Sequence, residues 1–232
     1  MIDIINLNKS FAKTKVIDDL NLKINDGEIT ALLGKNGAGK TTLIRLITGL
    51  YKKDSGTIEM DENTKIGVLL GGDISLYGNL TGYENIQYFG RLYGLKDDII
   101  KSRIEELDKV LCFNDYINKY AHTFSRGMKQ KVALAISIIH DPNLLLFDEP
   151  STGLDIEAID DVINFIKYLK KQGKTILIAT HNIFEISDLS DTIAFMSNGK
   201  IISKVNSKDF FKNCQNDQKS TCLINALKGD LM

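Results

Sequence analysis

The stretch ITALLGKNGAGKTT, residues 29–42, decides how the rest of the chain is read. An apolar run, ITALL, ends in Gly34-Lys35-Asn36-Gly37-Ala38-Gly39-Lys40-Thr41-Thr42, which fits GxxxxGK[ST], and a helical pattern, LIRLITGL, follows. A strand, a glycine-rich turn and a helix start in that order are the context in which this spacing cradles phosphate. The glycines let backbone N–H groups curl around phosphate oxygens without side-chain obstruction. The helix then points its positive end at the same anion. Gly34, Asn36, Gly37, Ala38, Gly39, Lys40, Thr41 and Thr42 are therefore candidate nucleotide-binding residues. Lys40 is expected to reach the β- and γ-phosphates of ATP, and the Thr41 hydroxyl to hold Mg²⁺.

Working outward, the partner site is LLLFDEP, residues 144–150. Four large apolar residues lead into Asp148 and Glu149. Adjacent carboxylates at the end of a buried strand repel each other and are costly to desolvate, and a cation nearby offsets that cost. Asp148 suits a contact to Mg²⁺, and Glu149 suits polarising an attacking water. The two prolines, Pro142 and Pro150, bracket this strand, where prolines are tolerated.

Uniformly apolar runs such as LLLF and TILIA predict strands buried on both faces, in a parallel sheet covered by helices. Strands are expected over 2–7, 16–24, 29–33, 66–70, 144–147, 175–179, 192–196 and 200–205. Helices are expected to begin near Gly39, Gly82, Asp97, Ser125, Asp155 and Ile183. The early strands alternate, and Asp26-Gly27 reads as a turn, so an antiparallel sheet is expected beside the core. From about 72 to 141 the pattern is mainly helical, as for a lobe inserted between core strands. The tail, 211–232, is expected to form short helices.

Composition narrows the rest. The chain has 232 residues, 43% hydrophobic and 25% charged, enough for a substantial core. A formal net charge of -1 gives no global field for nucleic acid or an anionic membrane. Cys112, Cys214 and Cys222 lack paired spacing and read as reduced thiols. The start shows no secretory pattern. The longest apolar run, VALAISII (132–139), is far below the roughly 20 residues that span a bilayer, so any membrane-spanning part must come from another chain.

Two further stretches, FSRGMKQKVALA (124–135) and TILIATHN (175–182), complete an ordered set with the phosphate loop and LLLFDEPSTGLD. In that order the motifs resemble the ATP-binding cassette (ABC) ATPases, over nearly the whole chain. IGVLLGG (66–72) and LTGYENIQYFGRLYGL (80–95) further resemble the ATPase subunits of ABC-2-type exporters of the sodium-extrusion kind. The resemblance implies an α/β fold of the P-loop NTPase, ABC cassette type. It would have a mostly parallel core sheet, an N-terminal antiparallel β subdomain and an inserted helical subdomain, with the cassette over 1–210. It implies ATP hydrolysis with Mg²⁺, a second cassette (homodimer or heterodimer) stacked head to tail, an integral membrane permease subunit, and a cytoplasmic place on the inner face of the membrane. No nucleic-acid partner is expected.

By the same resemblance Ser125 and Gly127 match the signature that contacts the γ-phosphate bound to the opposite cassette. Read alone, Ser125 is an ordinary helix cap. His181 matches the switch histidine, Asp155 the loop that crosses the dimer interface, and Phe11 the aromatic that stacks on adenine; alone, Phe11 reads as core. Lys129 and Lys131 read as solvated charges. Tyr77, Tyr83, Tyr88, Phe89 and Tyr93 either fill core or form a groove for a helix of the permease. A soluble, non-transport ABC ATPase and a regulatory cassette with little hydrolysis are the alternatives.

Three departures stand out. Gly71 or Gly72 falls where many members carry a Gln that reaches Mg²⁺ and the attacking water. A backbone carbonyl or a water would have to substitute, with Asp73 as a weaker candidate. Arg126 replaces a commoner Gly, either adding a phosphate or interface contact or standing solvated. The stretch GTIEMDENTK (56–65) is short, which is expected to trim the antiparallel edge.

Overall fold

The computed structural model describes residues 1–72, 76–214 and 219–228. Strands β1 (Ile2–Phe11), β2 (Thr14–Ile24) and β4 (Ser55–Met60) form an antiparallel sheet in the order β2-β1-β4. Strands β3 (Ile29–Gly34), β5 (Ile66–Leu69), β6 (Leu144–Asp148), β7 (Thr175–Ala179), β8 (Thr192–Ser197) and β9 (Lys200–Asn206) form the core sheet, ordered β5-β6-β7-β3-β8-β9. Its first five strands are parallel, and β9 returns antiparallel to β8. This is the fold class that the motifs imply.

The apolar runs are buried on both faces, for a visible reason. In β6, Leu145 and Phe147 face one hydrophobic cluster, while Leu144 and Leu146 face another. In β7, Ile176 and Ile178 divide from Leu177 and Ala179 in the same way. One cluster joins the sheet to α3 (Asp97–Leu111), α4 (Arg126–Ile138) and α5 (Ile156–Lys171) through Ile104, Leu134, Phe165 and Ile166. The other joins it to the antiparallel sheet and α1 (Lys40–Ile47) through Ile4, Leu20, Leu43 and Ile44. Helices α2 (Gly82–Leu92), α3 and α4 follow one another between β5 and β6.

Some expectations needed adjustment. β1 runs to Phe11, and the hairpin turns at Ala12, whose φ is +52°. Asp26-Gly27 does turn, with Gly27 at φ +68°, but it carries the chain from the antiparallel sheet into the core sheet instead of closing a hairpin. β4 lies outside the runs read as strands because its alternation, SGTIEM, is short and mostly half-exposed. After α6 (Ile183–Leu189), the helices α7 (Ser207–Asn213) and α8 (Lys219–Lys228) complete the described chain. α7 spans the expected division at 210, and Leu223 of α8 is buried with Ala31, Leu33, Ile193 and Phe195. No helix among the described residues is long and apolar enough to cross a membrane.

The sheet positions the site through its register. Leu69 pairs with Phe147, Asp148 with Ala179, and Ala179 with Leu32. The loops leaving β3, β5, β6 and β7 therefore meet at one edge, the carboxyl end of the parallel strands, where open α/β sheets bind ligands.

Candidate functional site

The loop from Gly34 to Gly39 is fixed by close approach. A Cβ on Gly34 would fall 2.5 Å from the Met196 carbonyl oxygen of β8, so the chain tolerates no side chain there. Gly39 caps α1 at φ +108° and has no side chain to accept from the helix's first amides. Those amides keep their hydrogen-bonding capacity for an anion. Lys40 is buried, and its Nζ donates to the Gly34 carbonyl at 2.7 Å, so the ammonium is folded into the loop it serves. Asn36 and Gly37 stand exposed at the tip, while Ala38 is buried. Thr41 and Thr42 are half-buried on the first turn of α1.

Asp148 ends β6 with its side chain almost wholly covered. Burial pushes its carboxyl up from the usual range and Glu149 adds to this, while the Thr41 hydroxyl, the Lys40 ammonium and the Gly71 amide pull the other way. Its Oδ1 is buried without a hydrogen-bond partner among the described residues. An orphaned carboxylate oxygen beside a threonine hydroxyl is a hard, all-oxygen donor pair, and it fits a small divalent cation that takes its other ligands from phosphate and water.

Glu149 has φ +52°, in the left-handed region that non-glycine residues rarely adopt. Such strain persists only where surroundings over-determine it. Here the Glu149 amide donates to the Ala179 carbonyl at 2.7 Å, and Thr152 Oγ1 donates to Oε2 at 3.0 Å. His181 Nδ1 lies 2.9 Å from Oε1 and 2.8 Å from Oε2. An ionised carboxylate only accepts, so Nδ1 carries the proton. The strain turns Glu149 away from the strand line and toward its threonine and histidine partners.

A cavity of about 270 Å³ is lined by Thr41, Gly71, Gly72, Asp148 and Glu149 together with Arg126 and Gln130 of α4. The structure thus brings together Thr41, Asp148 and Glu149, with His181 on Glu149. It also brings in residues whose place the sequence reading left open or overlooked: Arg126, Gln130 and Thr152. Of these, Arg126 had a readable signal, its place in FSRGMKQ, whereas Gln130 and Thr152 were overlooked. Asp73 lies outside the described residues.

Ser125, Gly127 and Asp155 sit elsewhere. Ser125 caps α4, its Oγ accepting from the Met128 amide at 3.3 Å, and Asp155 caps α5, its Oδ1 accepting from the Ala158 amide at 2.9 Å. A Cβ on Gly127 would lie 3.1 Å from Ala158 Cβ, so the two helix starts touch. Beside them Ile156 is 86% exposed. Lys131, expected to be solvated, instead pairs with Asp161 at 2.7 Å, tying α4 to α5. Phe11 is not core: it is half-exposed, edge-on to Tyr51 with ring centroids 5.2 Å apart. Tyr77, Tyr88 and Tyr93 are exposed, with Tyr77 packed against Tyr88 and Phe89, whereas Tyr83 packs against the core.

Comparison with known proteins shows the family and the fold. Residues 17–152 match the family model described as ABC transporter. The chain is 44% identical over 198 residues to the ABC transporter ATP-binding protein NatA of Bacillus subtilis, covering 81% of this chain and 80% of NatA. It is 38% identical to the lantibiotic transport ATP-binding protein SrtF of Streptococcus pyogenes, covering 87% and 89%. Among solved structures it matches an ATP-binding subunit of an ABC transporter with TM-score 0.84 at 26% identity, covering 97% of this chain and 99% of that one. It also matches cbiO1 of Clostridium perfringens, part of the ABC transporter complex cbiONQ, with TM-score 0.81 at 27% identity, covering 97% and 94%. The phosphate loop, the carboxylates at the end of β6 and the histidine after β7 thus stand on a fold shared with proteins of one kind, and the chain belongs to the ABC transporter family, as one of its ATP-binding, ATP-hydrolysing subunits.

Proposed function

We propose that this ATPase subunit of an ABC exporter works as one half of a head-to-tail pair of cassettes, each nucleotide being held by the phosphate loop of one chain and by Ser125 and Gly127 of the other. The observation that carries this reading is the split between the two helix starts. The α1 end faces a cavity that already holds Thr41, Asp148 and Glu149. The α4 start sends Arg126 to the far wall of that cavity, but its Ser125 and Gly127 lie outside the lining, and Ser125 is exposed. A hydroxyl, a close-approaching amide and a helix N-terminus form an anion site that needs no full charge.

Within each site Lys40 and the loop amides bind the β- and γ-phosphates, and Phe11 offers a ring face to adenine. Thr41 and Asp148 would hold Mg²⁺, which supplies charge neutralisation at the phosphate oxygens. Glu149 accepts a hydrogen bond from the attacking water and orients it at the γ-phosphorus. The water oxygen bonds to the γ-phosphorus as the bond to the bridging oxygen breaks, the water's proton passes by way of Glu149 to the released phosphate, and ADP and phosphate leave. His181, held by Glu149, reaches toward the γ-phosphate from the same edge. Loss of the γ-phosphate removes the group that joins the two chains, so the pair opens. The exposed Tyr77–Tyr88 patch on the helical lobe would receive a helix from a membrane-embedded permease, which places the cassette on the inner face of the membrane.

The test is the association state of Glu149→Gln. With MgATP this variant should sediment as a dimer and turn over about 10²–10⁴-fold more slowly than the wild type. With MgADP it should be a monomer. Normal turnover, or a monomer under both conditions, removes the paired mechanism.

A further inference from the structure

The position at which related cassettes carry a glutamine holds a glycine here, and a side chain there would be crowded or its backbone strained. A Cβ on Gly71 would lie 3.0 Å from the Asp148 carbonyl oxygen and 3.6 Å from its carboxyl carbon. Gly72 has φ +111°, a backbone that a side-chain-bearing residue would adopt only under strain. Among the described residues, the β5 edge therefore offers this cavity the apolar Leu70 and two glycines, and no polar side chain.

The cavity receives one from the opposite wall. The charged residues lining the cavity are Asp148, Glu149 and Arg126. Arg126 belongs to the first turn of α4, and its guanidinium lies against Gly153, where a Cβ would fall 2.7 Å from both Cζ and Nη1. Gly153 thus leaves the room that Arg126 fills. Gln130, the other α4 residue in the lining, is already committed: its side-chain amide donates to the Pro150 carbonyl. Among the described residues, by contrast, no hydrogen bond or ion pair engages Arg126. A cation with five donors therefore shares a cavity with two carboxylates and pairs with neither.

We propose that Arg126 contacts the γ-phosphate of the nucleotide bound to its own chain, supplying from α4 the polar contact that Gly71 and Gly72 do not. The inference rests on the cassette reading above, in which Thr41 and Asp148 mark the γ-phosphate end of the site. A γ-phosphate brings further negative charge to a cavity already holding two acids. A guanidinium fork is the side chain best matched to phosphate oxygens. ADP lacks the group, so Arg126 discriminates ATP from ADP. Because the residue heads the helix that also carries Ser125 and Gly127, occupancy of a chain's own site is felt at the turn that reaches for its partner's nucleotide. Ser125 and Arg126 thus serve two different nucleotides from one helix start.

The experiment uses the full chain, diluted until it sediments as a monomer, and titrates it with Mg²⁺-AMP-PNP and with Mg²⁺-ADP. Arg126→Ala should weaken AMP-PNP about tenfold, as expected for a charge-assisted hydrogen bond, and leave ADP within about twofold. Arg126→Lys should restore part of the loss, because a point charge replaces the fork. Ser125→Ala should alter neither affinity in the monomer. Equal losses for both nucleotides, or no loss for either, overturn the proposal. A loss seen only once dimers form assigns Arg126 to the partner's nucleotide and overturns it equally. Arg126→Gln, which keeps the stem over Gly153, decides the matter if the alanine variant does not fold. Failure of the wild-type monomer to bind AMP-PNP would instead count against the cassette reading itself.

Discussion

The starts of α1 and α4 are both places where backbone amides meet small residues at a helix N-terminus, yet they are built in opposite ways. At α1 the cap is Gly39, with no side-chain acceptor, and the loop before it is locked by the contact of Gly34 with Met196. At α4 the cap is Ser125, whose hydroxyl already accepts from Met128, and the turn is exposed. The first is a cradle finished within one chain. The second is satisfied locally and offers its remaining amides outward. A helix N-terminus therefore does not by itself state whose ligand it binds; the neighbours do.

The sharpest way to break this comparison is Lys40→Ala. Removing a buried ammonium from a finished cradle should reduce MgATP affinity of the monomer more than about a hundredfold, since hydrogen bonds to charged groups are worth about 1.5–3 kcal/mol each and Lys40 is proposed to reach two phosphates. Fluorescence titration with a labelled nucleotide measures it. A change of less than threefold would mean that the cradle is not where the phosphates sit.

The matching change at the other helix is Ser125→Ala. Turnover by the dimer should fall about a hundredfold, as when one preorganised donor is lost. Monomer affinity for MgATP should stay within about twofold. Loss of the cap costs about 1 kcal/mol of stability, visible as a lower melting point. Weakened binding by the monomer would place Ser125 in its own chain's site and erase the contrast.

How much of this was legible beforehand follows the same division. Burial of β6 and β7 on both faces was readable because a run of four or five apolar residues leaves no polar side to turn outward. The cradle was readable because its residues are consecutive. Arg126 beside Gly71 and Gly153 was not, because three loops meet there from positions about 55 and 27 residues apart on either side. The left-handed backbone of Glu149 was hidden as well: nothing in the residue type announces it, and only the Ala179 carbonyl and the turn through Thr152 impose it. Lys131 misled because a lysine on a helix reads as solvated until the facing Asp161 is known.

Asp148→Asn sharpens the account of the cradle as a cation site. Burial, the largest influence, raises the folded carboxyl above its unfolded value. Such a group favours the folded state at low pH, and that contribution is lost as pH rises through the folded pKa, where a charge with one unpartnered oxygen must stay buried. Asparagine removes the charge. In the absence of nucleotide the variant should melt about 2–4 °C higher than wild type at pH 7.5, and the gain should shrink near pH 4. The added stabilisation by MgATP over ATP alone should disappear. Thermal scans with and without Mg²⁺ test both halves, and a lower melting point in the variant would show that a protein partner already satisfies Asp148.

The smallest effect is expected farthest from the phosphates, at the other end of the strand that carries them. Glu28 immediately precedes β3, and its carboxylate accepts from Thr30 at 3.0 Å, from Thr192 and from Lys204 Nζ at 2.7 Å, pinning β3 to β8 and β9. Burial raises this carboxyl, but the Lys204 ammonium and the Thr192 hydroxyl outweigh it and hold it down at about 2. A depressed carboxylate stabilises the fold fully above its unfolded value near 4.5, and that share is lost as pH falls toward about 2. Glu28→Gln should therefore cost about 1 kcal/mol in urea unfolding at pH 7, solvent at the partly exposed Lys204 screening the pair. Wild type and variant should converge between pH 4.5 and 2. Hydrogen exchange gives the comparison its last refinement: amides of β3 should exchange faster in the variant while those of the first turn of α4 stay unchanged. If both accelerate together, the cradle and the outward-facing turn are one cooperative unit, and their different construction has no counterpart in how they open.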